Sequence, residues 1–266
     1  MAFMPQGCIK VPGLNQRITD PDLTKSFEFY NKLPEILEVF KRPQLSKIVL
    51  NKFCGLIREL GLDGHVGVHE SHSHGTLADN HVMIGEDFEK PLCRRIQQVP
   101  LSKVANMDFS NIYGRLFALD DDGLFHPYEY QRGTIPENIQ ELVSKLIPRY
   151  IHLVKTHNLG STISLEILSK TFSQPMSEIV WQSEVTLWES KRVMQRNLTR
   201  ATGFIASHEG YACSSNWVGT EKGHAEVIPD PGSKLPDLYE LENQLVLEGS
   251  LRPREPPGQR HLKSLL

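Results

Sequence analysis

The segment GRLFALDDDGLFHPYEYQRG (residues 114–133) decides the fold class, because it reads as a β-hairpin more clearly than any other stretch. Two apolar runs flank Asp121-Asp122-Gly123, and an Asp-Gly pair between apolar runs favours a tight turn. Residues 65–74 and 81–87 mix valine with alternating polar residues, which predicts two more strands. The centre of the chain is therefore predicted to form a hairpin-rich, antiparallel sheet.

Helices are predicted before and after this sheet. Apolar residues recur near the 3.6-residue period over residues 21–61, where Asp20 or Asp22 is the candidate cap of a first helix. A second helix fits residues 45–60. Pro136 begins an amphipathic helix that runs to about residue 158, and Pro148 is expected to kink or split it. The fold class is therefore α+β, with N-terminal helices, an antiparallel hairpin-rich sheet and packed amphipathic helices.

The remaining segments carry weaker patterns. Residues 1–19 are predicted to be an extended arm, and residues 161–169 fit either a strand or a short helix. Residues 177–200 also fit both periods, and residues 203–230 indicate short strands around glycine turns. We expect residues 1–250 to form a single α+β metal-binding domain. Proline and glycine are dense near the end, so residues 251–266 are predicted to be a mobile tail.

Charge and composition exclude several classes of protein. The net charge is -3 without a basic stripe, which argues against a nucleic-acid partner. No apolar run approaches the roughly 20 residues that cross a bilayer, and the N-terminus lacks a signal-peptide pattern. The four cysteines are scattered without a CxxC pair, which suits a reducing compartment. We therefore expect a cytoplasmic protein with no membrane partner, a small-molecule substrate and, as one alternative to a monomer, a homodimer.

Histidines are concentrated in one short stretch. Five of the eleven histidines lie between residues 65 and 81, in HVGVHESHSHGTLADNH. On a strand, alternate side chains share a face, so His72 and His74 would point the same way and His65 and His69 the other way. Neutral imidazole binds zinc, iron, copper and nickel well. The pattern predicts a divalent metal site with His72 and His74 as ligands; the alternative is a solvated loop without an ion.

The rest of the metal site must come from elsewhere, because a catalytic zinc usually has three protein ligands and one open position. His126 and Glu129 on the hairpin, together with His208 and His224, are the candidates. Glu129 and His224 are preferred, since each opens or lies within a predicted strand. His126 and Tyr128 share the opposite face of their strand from Glu129, and they are the candidate acid–base catalysts.

Other chemistries leave weaker signals in the sequence. The chain lacks GxGxxG, GxxxxGK[ST], HExxH and GxSxG motifs. A cupin-like iron oxygenase also carries HxH on a strand with a later Glu and His, but its Glu follows the second His by about four residues. Asp79 stands near that position here and Glu86 is too far away. A cupin-like iron-dependent oxygenase and a non-catalytic small-molecule-binding protein remain the alternatives to a zinc enzyme.

Two short motifs carry a resemblance to a known family. His72-Ser73-His74 and Pro127-Tyr128-Glu129-Tyr130 match a group of fungal proteins with HxH on a strand and a later P-x-E-[FY] segment. Within that group the chain resembles the cyclopenase family, hemocyanin-like zinc enzymes of quinolone alkaloid biosynthesis. The resemblance implies a zinc-dependent lyase that contracts a cyclopenin-type benzodiazepinedione to a viridicatin-type quinolone. Zinc would polarise an amide or epoxide oxygen, and an acid–base group would move protons.

Overall fold

The computed structural model describes residues 9–89, 92–104, 111–168, 176–181, 184–189, 198–207 and 210–219. Within them, five helices accompany ten strands that form a closed barrel, which confirms the predicted α+β class. The helices are α1 (Asp20–Tyr30), α2 (Ile36–Phe40), α3 (Lys47–Glu59), α4 (Leu101–Val104) and α5 (Glu137–Thr156). The strands are β1 (Val66–Glu70), β2 (His81–Glu89), β3 (Leu92–Pro100), β4 (Ile112–Leu119), β5 (Phe125–Arg132), β6 (Ile163–Ile167), β7 (Met176–Trp181), β8 (Glu184–Glu189), β9 (Leu198–Ser207) and β10 (Gly210–Gly219).

The strands follow one another around the barrel in the order β1-β6-β4-β5-β2-β3-β8-β7-β10-β9, and β9 pairs back to β1. Most neighbours are antiparallel, as the hairpin pattern predicts. The β2–β5 and β10–β7 pairs are parallel. Turn residues report on strands that follow each other directly in the chain, so the sequence pattern does not predict these two pairs.

The β4–β5 hairpin confirms the prediction from residues 114–133. Its turn is closed by a bond from the Gly123 N–H to the Asp120 carbonyl (3.0 Å), and Gly123 has a φ of 78°. The pairing register shifts twice between Gly114 and Phe117. Such bulges change which side chains of a strand share a face, so simple alternation fails at Arg115 of β4 and at Tyr128 of β5. The prediction that Tyr128 and Glu129 lie on opposite faces of their strand is therefore wrong.

The helices match the sequence pattern with two corrections. The first predicted helix is broken into α1 and α2 before Pro34, since the residue preceding a proline disfavours the helical conformation. Thr19 is the N-cap of α1, and Asp22 accepts a bond from its backbone N–H (2.8 Å). Of the two effects predicted for Pro148, a kink or a split, the split is wrong: α5 is one helix, and the buried Leu146, Ile147 and Tyr150 hold it against the barrel on both sides of the proline. The kink stays a prediction.

Helices α3 and α5 cover one side of the barrel and form the main core with it. Alternate residues of β1 and β6 face these helices, namely Val66, Val68, Ile163, Leu165 and Ile167. Because side chains alternate across a strand, the intervening residues face the barrel interior. The pairing of Gly67 with Glu166 and of His69 with Ser164 places these four residues on that inner face.

The described part of the N-terminal arm, residues 9–19, is bound to the barrel rather than merely extended. Val11, Leu14 and Ile18 are buried, and the Gly13 carbonyl accepts a bond from the Gly114 N–H (2.8 Å). Gly13 has a φ of 70°, a conformation that glycine adopts readily. The arm therefore packs closely over the first residues of β4.

We expect Gly114→Ala to lower the free energy of unfolding by about 1–3 kcal/mol, the usual effect of overpacking a core. A β-carbon at residue 114 would overlap the Phe117 ring and lie 2.8 Å from Pro127 Cβ. Urea denaturation measures the change. Gly55→Ala is the matched control, because no atom lies within 4 Å of the new methyl and alanine favours helix α3. Equal loss of stability in both variants would contradict the packing argument.

The predicted C-terminal tail and the predicted end of the domain both concern residues beyond those that the structure describes. The tail predicted over residues 251–266 lies outside the described residues, so the boundary of the single domain stays a prediction. Within the described part, none of the helices is both long enough and apolar enough to cross a membrane.

Candidate functional site

The segment after β1 leaves the strand and carries two of the predicted ligands. Strand β1 ends at Glu70, which corrects the predicted strand over residues 65–74. Ser71 then donates its N–H to the Thr162 carbonyl, and Ser73 donates its N–H to the Pro34 carbonyl, both at 2.9 Å. These bonds hold the segment between the start of β6 and the α1–α2 connection.

Three histidine rings lie side by side at this end of the barrel, and we call His69, His72 and His74 the histidine cluster. Ring centroids of His69 and His72 are 5.0 Å apart, and those of His72 and His74 are 4.6 Å apart. His69 and His72 are buried, and His74 is partly buried. Strand alternation placed His69 away from His72, which is wrong, because the chain stops being a strand between them.

The hydrogen bond of His72 fixes which of its nitrogens can bind a ligand. Its Nδ1 lies 2.7 Å from the Glu70 carbonyl oxygen. A carbonyl oxygen accepts and cannot donate, so Nδ1 carries the hydrogen and Nε2 of the neutral ring carries the lone pair. Metal-binding histidines commonly donate their second nitrogen to a backbone carbonyl in this way.

The described residues fit a zinc site only in part. His72 and His74 have adjacent rings and suit two ligand positions. Among the residues that the structure describes, no three His, Cys, Asp or Glu side chains form a group that could hold a metal ion. His208 and His224, which the sequence offers as further ligands, lie outside the described residues. The full ligand set therefore stays a prediction.

Glu129, predicted as a ligand, forms a buried ion pair. Its carboxylate lies 2.7 Å from Nη1 of Arg115, whose Nη2 lies 2.8 Å from Glu166. Arg94 continues the network with a bond to Asp87 (2.6 Å) and lies 4.0 Å from Glu166. No motif in the sequence links these arginines to the carboxylates, so the ion pairs were not predicted. We call these five side chains the interior charge network.

Tyr128, a predicted acid–base residue, is linked to the segment that carries the histidine cluster. Its hydroxyl lies 2.7 Å from Ser164 Oγ, which lies 2.5 Å from Ser71 Oγ. Burial, with a smaller contribution from the Glu129 charge, holds the pKa of Tyr128 far above its usual value. Tyr128 therefore stays protonated at neutral pH and can act as a hydrogen-bond donor but not as a base. The sequence carried no signal for Ser71 or Ser164.

His126, the other predicted acid–base residue, lines a cleft of about 250 Å³ between α1 and the β4–β5 turn. Its Nε2 lies 3.4 Å from Oδ2 of Asp120, and its Nδ1 lies 3.2 Å from the Pro127 carbonyl. Lys25 of α1 and Lys32, two residues after the end of α1, also line the cleft. An imidazole beside a carboxylate is a residue pair suited to proton transfer.

Phe29 connects the two predicted catalytic residues. Its ring centroid lies 5.1 Å from that of His126 and 5.5 Å from that of Tyr128, as expected if both project from the same face of β5. Leu33 and Ser161 also line the cleft. Leu33 directly precedes Pro34, whose carbonyl accepts the Ser73 N–H, and Ser161 directly precedes Thr162, whose carbonyl accepts the Ser71 N–H. The cleft and the histidine cluster therefore adjoin at one end of the barrel.

No protein-family model, curated protein or solved structure matches the chain. The resemblance to the cyclopenase family therefore stays a prediction.

Proposed function

We propose that the chain is a zinc-dependent lyase that acts on a small organic molecule where the cleft meets the histidine cluster. The observation that carries the proposal is the contact of the buried His72 ring with the rings of both His69 and His74. Three adjacent imidazoles beside a cleft are an uncommon arrangement for a purely structural core, and imidazole is a preferred zinc ligand.

His72 and His74 are the residues that would hold the zinc. The bond from His72 Nδ1 to the Glu70 carbonyl orients its ring, and Tyr30 holds the backbone of His74 through a bond from the His74 N–H (3.1 Å). Bound zinc would supply a Lewis acid that polarises an oxygen of the substrate. The remaining ligands are part of the proposal. The sequence favours Glu129 and His224, and because Glu129 is held by Arg115 at 2.7 Å, His224 is the one we carry forward.

The side chains of the cleft would bind the substrate and transfer protons. Phe29 offers an aromatic wall, and His126 with Asp120 offers a group that can accept a proton and return it. The hydroxyl of Tyr128, held by Ser164, keeps its proton and steadies the segment that bears His72. A cleft of about 250 Å³ lies just below the usual range of ligand-site volumes, so the substrate should be compact.

The resemblance to the cyclopenase family suggests the first substrate to test. Zinc-loaded protein should be incubated with a cyclopenin-type benzodiazepinedione, and the quinolone product followed by mass spectrometry. Equal turnover with and without oxygen is expected of a lyase. Turnover that requires oxygen would favour the iron-dependent oxygenase instead.

We expect the double variant His72→Ala/His74→Ala to lose its bound zinc while it stays folded. Both rings are proposed ligands, and each ligand removed weakens zinc binding. The measurement is elemental analysis of untagged protein, with circular dichroism to check the fold. The wild-type chain should carry stoichiometric zinc and the variant a small fraction of it.

His81→Ala/His152→Ala is the matched control, because it removes two histidines that lie outside the cluster. Helix α5 exposes His152, and His81 bonds through Nδ1 to the Asp79 carbonyl (2.8 Å). The control should retain zinc. Purified wild-type chain without zinc, even after zinc is added, would favour the second candidate function, a non-catalytic protein that binds a small molecule in the same cleft. That alternative agrees with the incomplete ligand group among the described residues.

A further inference from the structure

A second groove lies between helices α3 and α5, and it is distinct from the cleft that holds His126. It has a volume of about 590 Å³, within the usual range of small-molecule sites, and shares no lining residue with the cleft. Its apolar lining comes from Gly55, Leu56, Pro148 and Leu153. We call it the α3–α5 groove.

Two polar contacts join the helices and limit the length of the α3–α5 groove. Nζ of Lys52 on α3 lies 3.2 Å from Nε2 of His157, the C-cap of α5. Arg149 of α5 donates two hydrogen bonds, of 2.8 and 2.6 Å, to the Glu59 carboxylate of α3. Lys52 and Glu59 are two turns apart, so about 10 Å of α3 separates the two contacts. This length suits a small molecule better than a helix of a partner protein.

Gly55 keeps the middle of the α3–α5 groove open. A β-carbon built at this residue would have no atom within 4 Å, so no neighbour fills the space that a side chain would occupy. Pro148 and Leu153 are only partly buried, and each presents apolar surface to the groove. An aliphatic chain that covers this surface should gain affinity roughly 2–4-fold with each CH₂ group that leaves water.

The charges that line the α3–α5 groove are not balanced within the described residues. Both terminal nitrogens of Arg149 hold the Glu59 carboxylate, whereas none of the described carboxylates forms an ion pair with Lys52. The ammonium group of Lys52 has three N–H donors, and His157 accepts one of them. The exposed ring of His152 adds an N–H donor in either tautomer. The Lys52 end of the groove therefore favours an anion that accepts hydrogen bonds.

We propose that the α3–α5 groove binds a medium-chain fatty carboxylate. The aliphatic chain lies along Gly55, Leu56 and Leu153, and the carboxylate accepts hydrogen bonds from Lys52 and His152. An extended chain of eight carbon atoms spans about 10 Å, the separation of the two polar contacts along α3, so octanoate is the best match. This site goes beyond the proposed lyase activity and does not depend on bound zinc.

The test is isothermal titration calorimetry of the full chain with sodium octanoate at fixed ionic strength. We expect a Kd of roughly 0.1–1 mM, as for a ligand of about ten atoms in a partly open site. Affinity should rise from butanoate to octanoate and then stay nearly constant to decanoate, because a longer chain extends past the contact of Arg149 with Glu59 into solvent. Equal affinity for butanoate and octanoate would overturn the proposal. So would the absence of binding heat up to about 10 mM octanoate, well above a millimolar Kd.

The charge of the ligand is tested with n-octylammonium chloride, which has the same chain with the opposite charge. It should bind about tenfold more weakly than octanoate, the loss of one hydrogen bond between charged groups. Lys52→Met should weaken octanoate binding by a similar factor. Lys47→Met is the matched control, because Lys47 is exposed on the same helix and does not line the groove. Equal octanoate affinity in the two variants would contradict the assignment of the carboxylate to Lys52.

Gly55→Leu tests where the aliphatic chain lies, because the new side chain fills the middle of the groove. Leucine favours a helix more than glycine does, so α3 should stay folded. Octanoate affinity should fall by about tenfold or more, as expected when several CH₂ groups lose their contacts. Gly160→Leu is the matched control: Gly160 also has no atom within 4 Å of a built β-carbon, and it does not line the groove. Equal affinity in the two variants would overturn the proposal, and Lys52→Met carries the test if Gly55→Leu does not fold.

A second copy of the chain is the competing occupant of the α3–α5 groove. Light scattering over a range of protein concentrations distinguishes the two. We expect the same mass with and without octanoate, and the same mass for the wild-type chain and Gly55→Leu. A wild-type dimer that dissociates when octanoate is added or when Gly55 is replaced would make the groove an interface between copies, and the fatty carboxylate proposal would be wrong.

Discussion

Arg115→Met should lower the free energy of unfolding by about 3–5 kcal/mol, the range seen when one partner of a buried ion pair is removed. Arg115 is 2% exposed and bonds to both Glu129 (2.7 Å) and Glu166 (2.8 Å). Methionine fills similar space without charge, so the variant leaves two carboxylates inside the barrel without this partner. Urea denaturation with circular dichroism measures the loss.

Arg149→Met is the control for Arg115→Met. Arg149 forms an ion pair with Glu59 at 2.6 Å, which is as short as the interior pairs, but about half of the Arg149 side chain is exposed (48%). Solvent screens an exposed pair, so we expect a loss of about 0–1 kcal/mol. If Arg115→Met lowered the free energy of unfolding as little as Arg149→Met does, water would have to screen the ion pairs inside the barrel as well. The network would then contribute little to stability.

His126→Gln should reduce kcat by about 10²–10⁴-fold, the contribution typical of a general acid–base group. Glutamine keeps a polar side chain in the cleft but cannot exchange a proton. The measurement is steady-state turnover of the benzodiazepinedione, or of whichever small molecule the zinc-loaded chain converts. KM should change much less than kcat, because Phe29, Lys25 and Lys32 remain to bind the substrate.

His81→Gln provides the comparison for His126→Gln. Like His126, His81 has its Nδ1 beside a backbone carbonyl, but it is not among the residues that line the cleft. Its kcat should stay at the wild-type value. An unchanged kcat in His126→Gln would remove His126 from the proposed mechanism and leave the zinc proposal to be judged by its metal content.

Local patterns in the sequence predicted the helices and strands better than they predicted how the strands pair in the barrel. The β4–β5 hairpin and helices α3 and α5 followed from turn residues and the helical period. The closure of the barrel could not be predicted from such patterns, because β1 pairs with β6 and β9, which lie far along the chain. The sequence pattern was ambiguous for two segments. Within the described residues, segment 161–169 contains the end of a short 3₁₀ helix followed by β6. Segment 177–200 contains most of β7, all of β8 and the start of β9.

The site was predictable where neighbours in sequence are neighbours in space. His72 and His74 lie close together, although not on the strand predicted for them, and His126 and Tyr128 both contact Phe29. His69 was assigned to the wrong side, because strand alternation was extended past the end of β1. Asp120 and Ser164 were missed, since the contacts that bring them to His126 and Tyr128 depend on the folded barrel.

The contact between β1 and β9 also has a consequence for how the chain folds as it is made. Gly67 pairs with Ile205, so a nascent chain must be extended by roughly 140 residues before the ring of strands can join. Until then, β1 can pair with β6 along one edge only. Its other edge stays exposed during synthesis and can form non-native strand pairs. We therefore expect slow maturation, on the scale of milliseconds to seconds after release, and a need for chaperone protection during synthesis.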